Sequence, residues 1–322
     1  MNILITGSEG FVGTKMQVEL KKSGHEVTTL DRLNSNYSKH FVFELGKDSI
    51  DSLVMELTSE NIELIIHLAA AKGDFLLSDD DFFNDNVLAT AALVKLCDSL
   101  AVFNLIHYST VSVYGHNNVK NDETANISPN NPYGITKLES EKLVINWQKT
   151  NISNNLTILR PSVIYGVNNF ANMYNLLSQL NNKLPIMVGD GNYVKSIIAL
   201  DNLIDLTEFV ITEMNALQIY NCTDEPYPKL KEIYGYVSEV DGFRTPKVKI
   251  PYILALTLAT PFDLISNLIK KDLKITRERV YKFKMPTDFR SDLIRSKGYR
   301  QKYSTKDQLQ KMAHWFLKIN KR

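Results

Sequence analysis

Two residues four positions apart, Tyr133 and Lys137, could carry acid–base chemistry. Residues at this spacing lie on one face of a helix, and residues 133–149 are predicted to be helical. A phenol has a reference pKa of about 10, which is too high for easy proton exchange at neutral pH. Because a nearby ammonium group favours the phenolate, we expect Lys137 to lower the pKa of Tyr133. Tyr133 could then exchange a proton with a substrate hydroxyl while hydride moves to or from a nicotinamide cofactor.

A glycine-rich segment near the first residue offers a place for such a cofactor. Gly7, Gly10 and Gly13 follow the apolar run at residues 3–5 and overlap a helix predicted from residue 11. A strand, a glycine turn and a helix N-terminus together form an anion site, because unpaired backbone N–H groups and the helix dipole point at the phosphates. A second predicted strand ends at Asp31, near the spacing of about 20 residues expected for a ribose-binding acid. The pattern predicts dinucleotide binding.

Predicted strands and helices alternate along the first two thirds of the chain. Further strands are predicted at residues 41–45, 63–68, 102–107, 156–160, 197–199 and 218–222. Helices are predicted at residues 49–57, 86–100, 133–149, 172–184, 201–214 and 302–318. This alternation predicts an α/β fold built on a doubly wound parallel sheet.

The predicted fourth strand, residues 63–68, is followed by small residues. Ala69 and Ala70 would let a ligand approach the backbone at the carboxyl edge of the sheet, where α/β proteins bind ligands. His67 lies inside this strand, and we interpret it as a hydrogen-bonded structural residue rather than a catalyst.

The alternating pattern loosens after residue 166, which predicts a second, smaller α/β domain. We expect residues 1–165, together with about 193–222, to form the cofactor-binding domain. Residues from about 166–192 and 223–322 would form an interleaved substrate-binding domain.

Taken in order, the motifs resemble the extended short-chain dehydrogenase/reductase group, also called the NAD-dependent epimerase/dehydratase family. The resemblance covers roughly residues 1–222 and is faint beyond them. The matching residues are Thr6-Gly7-x-x-Gly10-x-x-Gly13, Asp31, His67-Leu68-Ala69-Ala70, Asn86-Val87, Ser109-Thr110, Val113-Tyr114-Gly115, Tyr133-x-x-x-Lys137, Leu159-Arg160-Pro161 and Tyr165-Gly166.

The resemblance implies roles for individual residues. Thr110 would hydrogen-bond the reacting oxygen, Tyr133 would be the general acid/base, and Lys137 would bind the nicotinamide ribose. Ser109, beside Thr110, would be structural. The implied cofactor contacts are Gly7, Gly10, Phe11, Val12, Gly13, Asp31, Arg32, Leu68, Ala69, Ala70, Asn86, Tyr133, Lys137 and Pro161.

Two adjacent residues bear on the choice between NAD and NADP. Asp31 favours NAD, because a carboxylate accepts a hydrogen bond from the 2′-hydroxyl and repels a 2′-phosphate. Arg32 is the opposing signal, since it could bind that phosphate. On this charge argument we predict NAD as the cofactor.

The chain departs from the family pattern after the catalytic threonine. Family members that eliminate water from a sugar carry an acid there, which protonates the leaving hydroxyl. Val111 and Ser112 cannot supply that proton. Elimination is therefore disfavoured, which leaves epimerisation, ketone reduction or plain dehydrogenation.

Other departures concern the substrate. Nucleotide-sugar members often have an asparagine where this chain has Val163, and an arginine on the diphosphate where this chain has Lys195. A lysine supplies charge but not a bidentate contact. Arg277 and Arg279, in the C-terminal part, could supply one.

We therefore predict an NAD-dependent enzyme that oxidises or reduces a secondary alcohol or ketone, most naturally of a nucleotide sugar. An epimerase would retain its NAD, whereas an NAD(P)H-dependent 4-ketoreductase would exchange the cofactor at each turnover. A third interpretation is a sensor or scaffold that binds NAD(P) without turnover.

Composition narrows the class of protein further. The 322 residues carry a formal net charge of +1 and no long basic block, which argues against nucleic acid as a partner. The sequence shows no cluster of histidine and cysteine residues that would predict a metal site. The two cysteines, Cys97 and Cys222, indicate no disulfide framework. The first residues already form a predicted strand, so we expect no signal peptide and a cytoplasmic location. The resemblance implies a homodimer.

One apolar segment, residues 250–269, could suggest a membrane helix. Pro251, Pro261 and Asp263 interrupt it, so it lacks the uninterrupted apolar span of about 20 residues that a membrane helix needs. We expect buried helices here, with contact at a membrane surface as the alternative.

Overall fold

The computed structural model describes residues 1–72, 77–115, 120–269, 277, 280 and 287–320, with the backbone alone for residues 262–269. The strands are Asn2–Thr6 (β1), Glu26–Asp31 (β2), His40–Val42 (β3), Leu64–His67 (β4), Asn104–Tyr108 (β5), Asn155–Pro161 (β6), Val163–Tyr165 (β7), Ile186–Val188 (β8), Ile197–Ala199 (β9), Leu217–Cys222 (β10) and Val248–Ile250 (β11).

The α-helices are Gly13–Lys22 (α1), Ile50–Leu57 (α2), Asp79–Phe82 (α3), Ala89–Ser99 (α4), Pro132–Thr150 (α5), Asn172–Leu180 (α6), Leu200–Thr212 (α7), Leu230–Ser238 (α8), Tyr252–Ile269 (α9), Asp292–Ser296 (α10) and Thr305–Asn320 (α11). A π-helix at Phe83–Leu88 joins α3 to α4, and short 3₁₀ turns lie at Thr58–Glu60 and Val111–Tyr114.

Seven parallel strands form the main sheet, in the order β3-β2-β1-β4-β5-β6-β10. The strand order reverses between β1 and β4, so the loops that follow these two strands diverge and leave a crevice at the carboxyl edge. The doubly wound parallel fold predicted from the sequence is confirmed.

Alternate residues of β1 pack on opposite faces of the sheet. Ile3 and Ile5 contact one apolar cluster, which includes Met16 of α1 and Leu203 of α7. Leu4 belongs to the cluster on the other face, with side chains of α4 and α5. Because helices cover both faces of the sheet, its strands are apolar at consecutive positions.

A second apolar core lies in the later part of the chain. It joins α6, α8 and α11 to the β7–β9 pair, with Leu177, Tyr234 and Leu309 at its centre. A further two-stranded pair, β8 with β11, precedes α9.

Two predicted elements differ from the structure. The strand predicted at residues 41–45 ends at Val42, because the chain turns where Asp48 accepts a hydrogen bond from the Glu44 amide. The burial predicted for residues 250–269 is wrong for one face of α9, where Ile253, Leu254 and Leu258 are exposed. No helix among the described residues is long and apolar enough to cross a membrane.

A buried ion pair fixes α5 against the sheet. Arg160 of β6 donates from Nε and Nη2 to the two carboxylate oxygens of Glu141, at 2.9 and 2.6 Å. Its third contact, from Nη1, is to the Tyr114 hydroxyl at 2.9 Å, and that hydroxyl donates to Asn221 of β10. Both charged side chains are only 2% exposed, so their pairing must satisfy them internally.

Loss of one partner of this pair should destabilise the fold. In Glu141→Gln the buried Arg160 guanidinium lacks its counter-charge, and we expect the free energy of unfolding to fall by about 3 kcal/mol or more. Urea denaturation measures the change. Glu139→Gln, on the exposed side of the same helix, should change it little; equal effects of the two substitutions would contradict the proposed dependence on burial.

Candidate active site

The glycine-rich loop after β1 packs directly against the loop after β4. Gly7 has a φ of +70°, and a Cβ there would lie 2.5 Å from the Ala69 amide nitrogen. A Cβ on Gly13 would overlap the Gly7 carbonyl oxygen, and one on Gly10 would lie 3.1 Å from it. The close approach of backbone to backbone therefore requires glycine at positions 7 and 13.

These loops border a crevice of about 220 Å³. Its lining includes the predicted residues Gly7, Gly10, Asp31, Arg32, Leu68, Ala69 and Ala70. The buried Ser8 hydroxyl has no hydrogen-bond partner among the described residues, as expected where a polar ligand completes the site. A glycine cradle at a helix start and a carboxylate at the end of β2 fit a dinucleotide.

Asp31 joins the end of β2 to the glycine loop. Its carboxylate accepts hydrogen bonds from the Glu9 amide at 2.9 Å and from the Leu33 amide at 3.0 Å. These contacts hold the carboxylate at the crevice, where an acid that binds ribose is expected.

The charge around Arg32 disfavours a 2′-phosphate. Its guanidinium lies 3.1 Å from Asp85 and 3.5 Å from Glu44, and both carboxylates also line the crevice. A phosphate placed there would meet three carboxylates, including Asp31, and an arginine that is already paired. This arrangement supports the prediction of NAD.

The other predicted cofactor contacts lie in different settings. Phe11, Val12 and Leu68 are half-buried and pack against the apolar cluster under β1. Pro161 is buried as the last residue of β6. Asn86, on the π-helix, is fully buried and donates to the Thr136 hydroxyl of α5 at 2.9 Å, while its Oδ1 has no hydrogen bond among the described residues.

Thr110 and Tyr133 meet at the carboxyl end of β5. The start of α5 packs on the turn that follows Thr110, since a Cβ on Gly134 would lie 2.6 Å from the Ser112 carbonyl oxygen. Thr110 caps this 3₁₀ turn by accepting a hydrogen bond from the Ser112 amide. Asn131 caps α5 by accepting from the Gly134 amide at 2.9 Å. Two local caps therefore set the positions of both hydroxyl groups.

The predicted lowering of the Tyr133 pKa is wrong as far as the protein's own groups are concerned. Burial raises the pKa of the phenol, and the neighbouring Thr110 only partly opposes this shift. Tyr133 is therefore protonated at neutral pH until another positive charge, such as an oxidised nicotinamide ring, adjoins it.

Lys137 lies one helical turn beyond Tyr133 and is 1% exposed. Burial lowers the pKa of its ammonium group to about 8, although Glu141 opposes the shift. His67 lies within the electrostatic reach of Lys137 and has a pKa of about 3, because it is buried. Its ring bonds the hydroxyls of Thr6 and Thr90, at 2.7 and 3.3 Å, which confirms the structural role predicted for it.

The predicted substrate contacts are spread over the later chain. Lys195 is mostly buried, with a pKa lowered to about 8, and its ammonium lies 5.3 Å from the centre of the Tyr193 ring. Arg277 is exposed, and Arg279 lies outside the described residues. Among the described residues, no group of three or more histidine, cysteine, aspartate or glutamate side chains could hold a metal ion.

Sequence reasoning missed the buried ion pair that holds α5, the helix that carries Tyr133 and Lys137. Arg160 was recognised only as part of a motif, and Glu141 was not singled out, although it follows Lys137 by four residues on α5. A charged residue in an otherwise apolar predicted strand was the available signal, because such a residue is buried only with a partner.

Substitution of Asp31 should change cofactor preference. In Asp31→Asn the acceptor for ribose is weakened and one negative charge is lost, so we expect NAD affinity to fall about tenfold and the preference over NADP to shrink. Calorimetric titration with both dinucleotides measures this. Asp241→Asn, at an exposed position, is the control; an unchanged ratio of affinities would contradict the assignment.

Removal of the Lys137 charge should stabilise the protein at neutral pH. The folded pKa of about 8 is below the unfolded value of 10.5, so burial of the charge costs about 3 kcal/mol at pH 7. Because the unfolded chain binds the proton more tightly, the cost declines as pH rises from about 8 towards 10.5.

We therefore expect Lys137→Met to increase the free energy of unfolding at pH 7, and this advantage to shrink at alkaline pH. Urea denaturation at both pH values tests it, with Lys142→Met on the exposed face of α5 as the matched control. A Lys137→Met variant that is less stable than wild type at pH 7 would refute the shift.

Comparison with known proteins agrees with this geometry. The chain is 28% identical over 305 residues to an N-acetyl-α-D-glucosaminyl-diphospho-ditrans,octacis-undecaprenol 4-epimerase of Escherichia coli O157:H7, covering 94% of this chain and 91% of that protein. It is 29% identical over 273 residues to a UDP-glucose 4-epimerase of Vibrio cholerae, covering 81% and 76%.

The fold also matches solved structures. The UDP-glucuronic acid 4-epimerase from Bacillus cereus in complex with NAD superposes with a TM-score of 0.76 at 21% identity, covering all of both chains. Residues 3–223 match the profile of the NAD dependent epimerase/dehydratase family. With its predicted fold and enzyme class confirmed, this chain belongs to the NAD-dependent epimerase/dehydratase family.

Proposed function

We propose that the protein is an NAD-dependent 4-epimerase of a sugar carried on a diphosphate, most naturally a nucleotide sugar. The observation that carries the proposal is the close packing of the start of α5, which bears Tyr133, against the turn that follows Thr110, one helical turn from the buried Lys137. These three side chains lie at the same sheet edge as the glycine cradle.

The proposed mechanism assigns one task to each side chain. Bound NAD would supply the hydride acceptor. Thr110 would hold the substrate hydroxyl oxygen, and Tyr133 would take its proton and later return it. Lys137 would donate a hydrogen bond to the nicotinamide ribose. Because Tyr133 is protonated without a nearby cation, proton transfer would depend on the cofactor being present.

The residues after Thr110 support epimerisation over elimination of water. Val111 is buried, and the Ser112 hydroxyl accepts a hydrogen bond from Thr110 at 3.3 Å. Neither group can protonate a leaving hydroxyl at neutral pH.

The sugar carrier has two candidates that share the same chemistry, a diphosphate linked to a pyranose. UDP is supported by the Vibrio cholerae relative and by the solved Bacillus cereus structure. A polyprenol is supported by the Escherichia coli relative, which aligns over nearly the whole chain, and by the exposed apolar face of α9.

The proposal also covers the substrate-binding residues, the oligomeric state and the location in the cell. The second apolar core, with residues from about 166–192 and 223–322, would bind the sugar through Lys195 and Arg277. The protein would act as a homodimer in the cytoplasm. The proposed domain limits rest on the loosening of the strand–helix alternation after residue 166, and the dimer rests on the family resemblance.

Replacement of the phenol tests the function. Tyr133→Phe removes the proton acceptor, so we expect turnover to fall about 10² to 10⁴-fold while NAD binding is kept. Turnover would be followed by chromatography of UDP-glucose, UDP-N-acetylglucosamine and their polyprenyl-diphosphate counterparts in detergent. Tyr174→Phe, which removes a hydroxyl of α6 that donates to Asn320 at the surface, should leave turnover unchanged.

The alternatives give different results in the same experiment. A ketoreductase would release oxidised cofactor at each turnover and would be purified without bound NAD. A sensor would show no turnover in the wild type, and Tyr133→Phe would change nothing.

A further inference from the structure

One face of α9 is apolar and exposed, and no described part of the chain covers it. Ile253 is 78% exposed, Leu254 50% and Leu258 54%. Their spacing places them on one side of the helix. The opposite side, with Ala255 and Ala259, is buried against its own small apolar cluster. The exposed row is therefore not needed to hold the helix in place.

Exposed basic residues precede this row along the chain, just before the N-terminal end of the helix. Arg244, Lys247 and Lys249 are all exposed, and the last two lie immediately before or within β11, which leads into α9. From residue 244 to residue 261 the sequence contains these three cations and no acidic residue. Asp190, on another segment, lies within the electrostatic reach of Lys249.

We propose that this apolar–basic surface, formed by Arg244, Lys247, Lys249, Ile253, Leu254 and Leu258, binds the anionic surface of a phospholipid bilayer. Aliphatic side chains on one helix face enter the boundary between headgroups and acyl chains, while neighbouring cations contact anionic headgroups. The surface combines both features on adjacent elements. α9 would lie in the plane of the membrane, on the protein's outside.

A second copy of the chain fits this surface less well. In a twofold dimer the same patch faces itself, which would bring the three cations together with no acidic residue of the same segment to neutralise them. An anionic lipid surface supplies the opposite charge. The proposal does not depend on the proposed reaction, because its residues are separate from Thr110, Tyr133 and Lys137.

Vesicle sedimentation of the full-length protein tests this surface. The probes are vesicles of phosphatidylcholine mixed with phosphatidylglycerol, and vesicles of phosphatidylcholine alone. We expect binding to the mixed vesicles that weakens in high salt, since exposed charges are screened. Ile253→Ser/Leu254→Ser should lower the affinity at least about tenfold. Met55→Ser/Ile152→Ser, which changes two exposed apolar side chains elsewhere, is the control.

A second pair of variants separates the charge contribution. Lys247→Gln/Lys249→Gln should weaken binding to the mixed vesicles by about fivefold for each lysine, and Lys142→Gln/Lys149→Gln should not. Circular dichroism and turnover of a soluble nucleotide sugar show that each variant is folded, independently of vesicle binding.

Two results would overturn the proposal. Wild-type protein that stays in the supernatant with mixed vesicles has no such surface. If Ile253→Ser/Leu254→Ser converts a dimer to a monomer in size-exclusion chromatography and leaves vesicle binding unchanged, the occupant of α9 is a second copy.

Discussion

The buried pair of Arg160 and Glu141 is the interaction on which the geometry of the site depends. It joins β6 to the middle of α5, and through Tyr114 it reaches the 3₁₀ turn that begins after Thr110. A buried charge is tolerated only when its hydrogen bonds are complete, so the pair has little freedom to rearrange. The placement of α5, which carries Tyr133, against the turn after Thr110 is therefore supported by contacts that lie behind the site.

The electrostatics of the site are set by burial more than by neighbouring charge. Burial raises the pKa of Tyr133 and lowers that of Lys137, so each group is shifted towards its neutral form. A phenol and an amine that both resist ionisation do not activate each other unaided. The chemistry then depends on a cationic ring beside them, which links proton transfer to the occupied state of the crevice.

The fold was predictable because its signals are local. Apolar runs of the right length marked most strands, and Gly7 and Gly13 marked a turn that no other residue can form. The pairing of Arg160 with Glu141 was not predictable, because contacts between distant segments leave no spacing in the sequence. The exposed face of α9 was missed for a related reason: apolar composition indicates a preference for burial, but not what provides the cover.

The ion pairs of Arg32 lie at one side of the opening of the cofactor crevice. They connect the end of β2 to Asp85 on the π-helix, so the two sides of the opening are held by exposed charges rather than by packed side chains. The opposite side, where Gly7 lies against Ala69, has no such freedom. Because salt screens exposed charges, this side of the crevice would be held less tightly as ionic strength rises.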